Sequence, residues 1–337
     1  MNRAEADSVE CRRLGVVGTL VWDTIHDRDP LCEPVEEWGG IAYALVALEA
    51  ALDDTWEVVP VVKLGSDLAQ EAVDFLTTLT RLRTTALQVV PEPNNRVEIR
   101  YTDDARRTER LTGGVPGWTT DELAPLLGDV DALYVNFISG FEMELATARW
   151  VRDRFEGPIY ADLHSLFLGV TLGGERIERE LPDSIDWLQS FNAVQMNETE
   201  FDLLGGAAGD PWRLAADALG DPLKLVAVTT GPRGAAFVAS SDFRPDPMTW
   251  GSAGDATLKR SGRPASVARL SSALGIDPTG CGDVWGATMF GRLLAGDPLE
   301  KAMRGANQAA SRNAQLKGAG SLQEHFASGP SHRDNAP

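Results

Sequence analysis

The segment Asp277-Pro278-Thr279-Gly280-Cys281-Gly282-Asp283 stands directly before an apolar stretch, 284–294, that reads as a helix. Two glycines at such a junction let the backbone turn tightly and leave the first N–H groups of the helix without intrahelical acceptors. Those donors, reinforced by the helix dipole, make an anion site. An aspartate inside it can hold a metal-bound phosphate, or accept the proton of a hydroxyl about to attack that phosphate. The plainer alternative is a helix start capped by Asp277 or Thr279, with the glycines serving only the turn.

Four further segments carry weaker signals. Gly18-Thr-Leu-Val-Trp-Asp23 follows the first strand, and alone Asp23 would be a turn or capping aspartate. Gly39-Gly40 opens an apolar helix, and Asn197-Glu198-Thr199-Glu200 follows a strand as a helix N-cap with an acidic first turn would. Thr229-Thr230-Gly231-Pro232-Arg233-Gly234 closes another strand in a turn.

In this order the five segments resemble those of the ribokinase-like (PfkB) carbohydrate kinases, over roughly residues 14–315. The resemblance implies that Asp283 is the catalytic base and that the N–H groups of Gly280, Cys281 and Gly282 form the anion hole. It implies that Asp23, Gly39 and Gly40 bind the substrate, and that Thr230, Gly231, Gly234 and Asn307 bind ATP. Asn197 and Glu200 would organise magnesium through water, as a hard cation prefers. The implied reaction is transfer of the γ-phosphoryl group of ATP to a hydroxyl of a sugar or sugar-like alcohol. ATP and Mg2+ are the implied cofactors, with a monovalent cation as a further option, and a homodimer is compatible. A nucleoside or phosphosugar kinase shares every motif, and a non-catalytic sugar- or nucleotide-binding protein could keep the fold. One departure stands out. The family's sugar-touching asparagine a few residues past the diglycine is missing from Ile41-Ala42-Tyr43-Ala44, which argues against ribose or another standard sugar and leaves Tyr43 either as a substitute contact or as a core aromatic.

The elements that would position these groups alternate between short apolar strands and amphipathic helices, the pattern of a mostly parallel α/β sheet. Strands are predicted at 14–17, 58–62, 132–136, 159–161, 193–195 and 225–229. Helices are predicted at 41–52, 68–79, 120–127, 142–154, 211–219, 281–294 and 299–315. Residues 95–111 alternate polar and apolar around Asp103-Asp104, which reads as a β-hairpin projecting as a flap. Its arginines 96, 100, 106, 107 and 110 form either a solvated face or a phosphate contact. Asp162 and His164, at a strand's carboxyl end, sit where α/β folds bind ligands. The Gly-, Pro- and Ser-rich stretch 240–271 reads as an irregular or hairpin excursion. The expected fold is a three-layer α/β/α sandwich, ribokinase-like, with a small β-strand lid near 23–38 and 95–112. It spans 14–317 as one domain, with flexible tails at 1–13 and 321–337.

Composition removes competing classes. The chain has 337 residues, 50 acidic against 31 basic, for a net charge of −19. Such a surface repels a nucleic-acid backbone. Its three cysteines and four histidines show neither a disulfide framework nor zinc-ligand spacing. No run is long and apolar enough for a membrane span, and the N-terminus is no signal peptide, so a cytoplasmic location is expected. No GxxxxGK[ST] occurs, and no GxGxxG follows the first strand, which disfavours P-loop kinases and Rossmann dehydrogenases.

Overall fold

The structure, a computed structural model, describes residues 11–27, 29, 31–101, 107–205, 209–251, 265–268, 278–316 and 318–327. In chain order it opens with β1 (Arg12–Val17), β2 (Leu20–His26), β3 (Val35–Gly40), α1 (Ile41–Ala51), β4 (Trp56–Gly65), α2 (Ala69–Leu76) and β5 (Leu87–Val90). There follow β6 (Arg96–Tyr101), β7 (Arg107–Thr112), α3 (Thr120–Leu127), β8 (Ala132–Asn136), α4 (Leu145–Arg154), β9 (Ile159–Asp162), β10 (Leu168–Val170) and β11 (Arg176–Glu178). The remainder is α5 (Ser184–Leu188), β12 (Ala193–Asn197), α6 (Glu198–Gly205), α7 (Pro211–Ala218), β13 (Leu225–Thr229), β14 (Gly234–Ala239) and β15 (Ala265–Ala268). Helices α8 (Cys281–Leu294), α9 (Leu299–Asn313) and α10 (Ala319–Ala327) close the chain.

Nine described strands form the central sheet, in the order β15-β14-β13-β12-β9-β8-β1-β4-β5. Pairing is parallel from β13 to β5, and β14 and β15 run antiparallel. All five residues of β8 and the first four of β12 and β13 are buried, as strands covered by helices on both faces must be. One core cluster joins the sheet to α1, α2, α8, α9 and α10, and the other joins it to α3–α7. The three-layer sandwich is thus observed. Among the described residues no helix is long and apolar enough to cross a membrane.

A second sheet, β3-β2-β6-β7, stands off the first over its own small core of Val21, Ile25, Val97, Ile99, Leu111 and Ile138. Its paired segments include most of 95–112, and the hairpin is formed from Arg96↔Thr112 to Tyr101↔Arg107, with its Asp103-Asp104 turn outside the described residues. Both edges of this sheet are held. On the β3 side, Glu37 Oε1 accepts the Gly320 N–H of α10 at 2.5 Å. On the β7 side, Leu111 N–H donates to Gly174 O (2.8 Å) in the turn of the β10–β11 hairpin.

Several expectations shift. The tail expected to be loose from 321 is helical to Ala327, because Leu322 is fully buried in the core that holds α1. At the other end, Arg12 and Arg13 already pair with Trp56 and Glu57. The helix expected from 142 starts at Leu145, since the Glu142 carboxylate instead accepts N–H groups of Ile138, Ser139 and Gly140 and organises that loop. Within 240–271, β15 extends the central sheet; 252–264 and 269–277, including the motif's Asp277, lie outside the described residues.

One buried charge carries a stability prediction. Lys63, 3% exposed, donates to Glu122 Oε1 (2.8 Å) and Gly117 O (2.9 Å) beneath the face of Trp118. Desolvation would raise the Glu122 carboxyl, but Lys63 and the Thr119 cap outweigh it and hold it down at about 2. A depressed carboxyl stabilises the fold above its ordinary value near 4.5 and loses that contribution as the pH falls toward 2. Glu122→Gln should therefore cost about 1–3 kcal/mol in urea unfolding at pH 7. The gap to wild type should close as the pH falls from 4.5 to 2. A pH-independent difference would assign the effect to packing.

Candidate active site

Helix α8 starts from Gly280, whose φ of 73° lies in the left-handed region. A Cβ there would meet the Tyr43 ring at 2.4 Å, so the glycine lets the loop lie flat on that buried aromatic of α1. Cys281 N–H donates back to Pro278 O (3.1 Å), so of the three amides expected to form an anion hole only those of Gly280 and Gly282 make no bond among the described residues. The Cys281 thiol turns away onto α9, toward Ala310 O, and Asn313 Nδ2 holds Thr279 O at 2.7 Å. From the facing hairpin, Tyr101 Oη and Arg107 Nη1 reach Thr279 Oγ1 at 2.9 and 3.2 Å.

Asp283 Oδ1 accepts Asn136 Nδ2 (2.8 Å) from the carboxyl end of β8. Burial raises the Asp283 carboxyl, against the pull of Asn136, His164 and Arg107. A raised carboxyl is a stronger base once ionised. Below the loop, Gln195 Nε2 donates to Gly282 O (2.9 Å) and Asp162 Oδ2 (3.1 Å), while its Oε1 accepts the Tyr160 hydroxyl. A Cβ on Gly286 would lie 2.1 Å from that Oε1, so the bare turn of α8 seats the amide. Burial first, then the nearby Asp283, raises Asp162 to about 8.

Asp23 lies on β2 rather than in a loop, 4% exposed, and accepts no hydrogen bond from the described residues. Burial, with Glu109 and Asp283 nearby, pushes its carboxyl well above the usual range, against Arg107 and Arg176. A Cβ on Gly39 would sit 1.7 Å from Asp23 Oδ2, so this glycine makes the room the carboxylate occupies. Gly40, at φ 59°, turns β3 into α1. Asp23, Gly40, Tyr43, Thr279, Gly280 and Asp283 line one cleft with about 390 Å³ of empty space, walled by Val21, Val97, Ile99 and Ile138. Arg107, Glu109, His164 and Arg176 complete it. Of the hairpin arginines, Arg107 turns into this cleft, Arg96 pairs with Asp67, and Arg100 and Arg110 stay on the exposed face with Glu98 and Gly173 O. Arg106 lies outside the described residues.

Asn197 and Glu200 box the start of α6. Glu200 Oε2 accepts Asn197 N–H (2.8 Å), Oε1 accepts Asn197 Nδ2 (2.6 Å), and Asn197 Oδ1 accepts Glu200 N–H (3.0 Å). His164 Nδ1 also bonds Glu200 Oε1. Burial alone would lower His164, but Glu200 reverses that and raises it to about 9. Among the described residues no three His, Cys, Asp or Glu are grouped to hold a metal directly. The spare lone pairs of this engaged box therefore fit a divalent cation only through its waters.

Thr230 and Gly234 close the turn after β13, with Thr230 N–H and hydroxyl both donating to Gly234 O, and Gly231 at φ 54°. Arg233 ties this turn to Glu198 on α6, so both segments face the same end of the sheet. Asn307 is buried on α9, where its Oδ1 accepts the Trp285 indole N–H at 2.7 Å. Neither the turn, the box nor Asn307 lines the cleft. Asn136, Gln195, Glu109 and Arg176 were not singled out from the sequence. Asn136 and Gln195 offered a signal, each a polar residue closing an apolar predicted strand.

Residues 180–325 match the pfkB family carbohydrate kinase. No curated protein sequence matches the chain significantly. Among solved structures, a pyrophosphate-dependent kinase of the ribokinase family, in a sulfate complex, is 16% identical with a TM-score of 0.68, over 95% of this chain and 100% of that one. The nucleoside kinase of Burkholderia thailandensis, in complex with inosine, is 16% identical with a TM-score of 0.67, over 94% and 97%. The ribokinase of Arabidopsis thaliana, complexed with ribose and ATP, is 19% identical with a TM-score of 0.64, over 94% and 99%. The resemblance carried by the motifs is borne out, and the fold is that of ribokinase-family kinases.

Proposed function

We propose that this chain, which has the ribokinase fold and matches the pfkB carbohydrate kinases over 180–325, transfers the γ-phosphoryl group of ATP to a hydroxyl of a sugar-like alcohol. The observation that carries this reading is one cleft holding a base at a helix-start anion site and a buried carboxylate that accepts nothing from the described residues. Asp23 accepts hydroxyl hydrogens of the acceptor in the space left by Gly39. Asp283, held by Asn136, takes the proton of the hydroxyl that attacks phosphorus. The new O–P bond forms as the bond to the ADP oxygen breaks, and the proton stays on Asp283 until release. Gly280 and Gly282 present N–H groups to the charge spreading over the transferred oxygens, and the Cys281 amide joins them if its turn to Pro278 opens.

ATP binding is assigned to Thr230, Gly231, Gly234 and Asn307. Asn197 and Glu200 would hold a magnesium ion through its waters, and it would supply neutralisation of the phosphate charge. Contact of Tyr101 and Arg107 with Thr279 brings the hairpin over the loop and keeps water, the competing acceptor, out.

The test is ADP release from Mg-ATP across free sugars, polyols, nucleosides and sugar phosphates. Acceptor-dependent release names the class, and release with nucleosides or sugar phosphates alone would select those kinases instead. ATP bound without release on any acceptor would favour a non-catalytic binding protein, and absence of ATP binding would sink the reading.

A further inference from the structure

We propose that the acceptor is a polyol without an anionic substituent, and that Glu109 sets this preference by occupying both arginines of the cleft. The inference rests on the phosphoryl-transfer reading for regarding the bound molecule as an acceptor.

Arg107 and Arg176 line the cleft and would be natural partners for a phosphate or carboxylate. Glu109 lies between them. Its Oε1 is 2.7 Å from Arg107 Nη2 and its Oε2 is 3.1 Å from Arg176 Nη1, so one carboxylate spends both oxygens on two guanidinium groups. Arg176 is further committed, with Nη2 donating to Ile138 O at 2.6 Å. The two arginines outweigh burial and hold Glu109 ionised, at about 2. His164, the remaining basic group at the cleft, is matched by Glu200.

Every basic side chain lining the described cleft therefore already faces a carboxylate. Asp23, in contrast, is buried and accepts no hydrogen bond from the described residues, and the hydrogen bond that Asp283 accepts comes from an amide. An entering phosphate or carboxylate would have to displace the ionised Glu109 from both guanidinium groups. Like-charge juxtaposition with Glu109 disfavours such a ligand. A hydroxyl donates to Asp23 at no such cost. Excluding the wrong partner by an arranged repulsion is a common source of specificity.

The experiment compares matched pairs: myo-inositol with myo-inositol 1-phosphate, ribose with ribose 5-phosphate, and glucose with gluconate. Each is measured by calorimetric binding and by ADP release, in wild type, Glu109→Gln and Glu109→Asp, with melting curves to confirm folding. Wild type should favour the neutral member of each pair it binds by at least about tenfold. Glu109→Gln, which keeps the shape and removes the negative charge facing both guanidinium groups, should narrow that ratio about tenfold or invert it, while Glu109→Asp, which keeps the charge, should retain the preference. Equal or better binding of an anionic member by wild type overturns the proposal. So does an unmoved ratio in folded Glu109→Gln, or no binding of any member. Discrimination in binding that moves with Glu109, without ADP release from any pair, would uphold the proposal for the cleft and defeat the kinase reading alone.

Discussion

Asp283→Asn is expected to lower kcat by about 10²–10⁴-fold, the usual contribution of a positioned general base. The substitution is nearly isosteric, and its carbonyl oxygen can still accept Asn136 Nδ2, so the start of α8 keeps its contact with β8. It also removes a carboxyl whose ionised form burial disfavours, so thermal stability should hold or rise. Nucleotide affinity should stay near wild type, because Asp283 faces the acceptor side of the cleft with Asp23. Stopped-assay turnover with calorimetric nucleotide binding separates these effects. Turnover within a few-fold of wild type would remove Asp283 from the chemistry and leave the loop as a binding element.

Gly280→Ala should be nearly as damaging for a different reason. A non-glycine residue in the left-handed region costs roughly 1–2 kcal/mol. Its Cβ would also stand 2.4–2.6 Å from three carbons of the Tyr43 ring, which is 2% exposed and has nowhere to retreat. The loop must lift, and the amides of 280 and 282 move with it. Loss of one such donor in a water-excluded site is worth about 10²–10³-fold in kcat. Gly282→Ala is the control for folding, since its Cβ would meet nothing nearer than Gln195 Nε2 at 4.0 Å. Wild-type kcat/KM in a folded Gly280→Ala would show that the loop's height above Tyr43 does not matter.

The parts legible in the sequence are those whose information is local. Helix α8 and its loop could be read because glycines, an acidic residue and an apolar run fall within a few positions of each other. The parallel strands could be read because burial on both faces forces continuous apolar runs. Strands β2 and β3 could be read only as a β-strand lid near 23–38, without their bounds. Polar residues fall on both faces of each, and Asp23 and the two glycines resemble turn residues, although Gly39 makes the room that the Asp23 carboxylate occupies. Arg176 left no local trace, because it acts on Glu109, tens of positions away. The N-x-x-E segment shows both meanings together, since the box that would steady a hydrated metal is itself a helix cap.

The bracing of the second sheet limits how the cleft can admit its contents. One long edge is pinned through Glu37 to α10, and the other is stitched to the β10–β11 hairpin at Leu111. A plank fixed along both sides cannot swing as a door. What can give way is the overhanging end of β6 and β7, where Tyr101 and Arg107 rest on Thr279. Entry and exit would then act on the contact of that end with Thr279, and dwell time in the cleft would follow that small clasp rather than a domain.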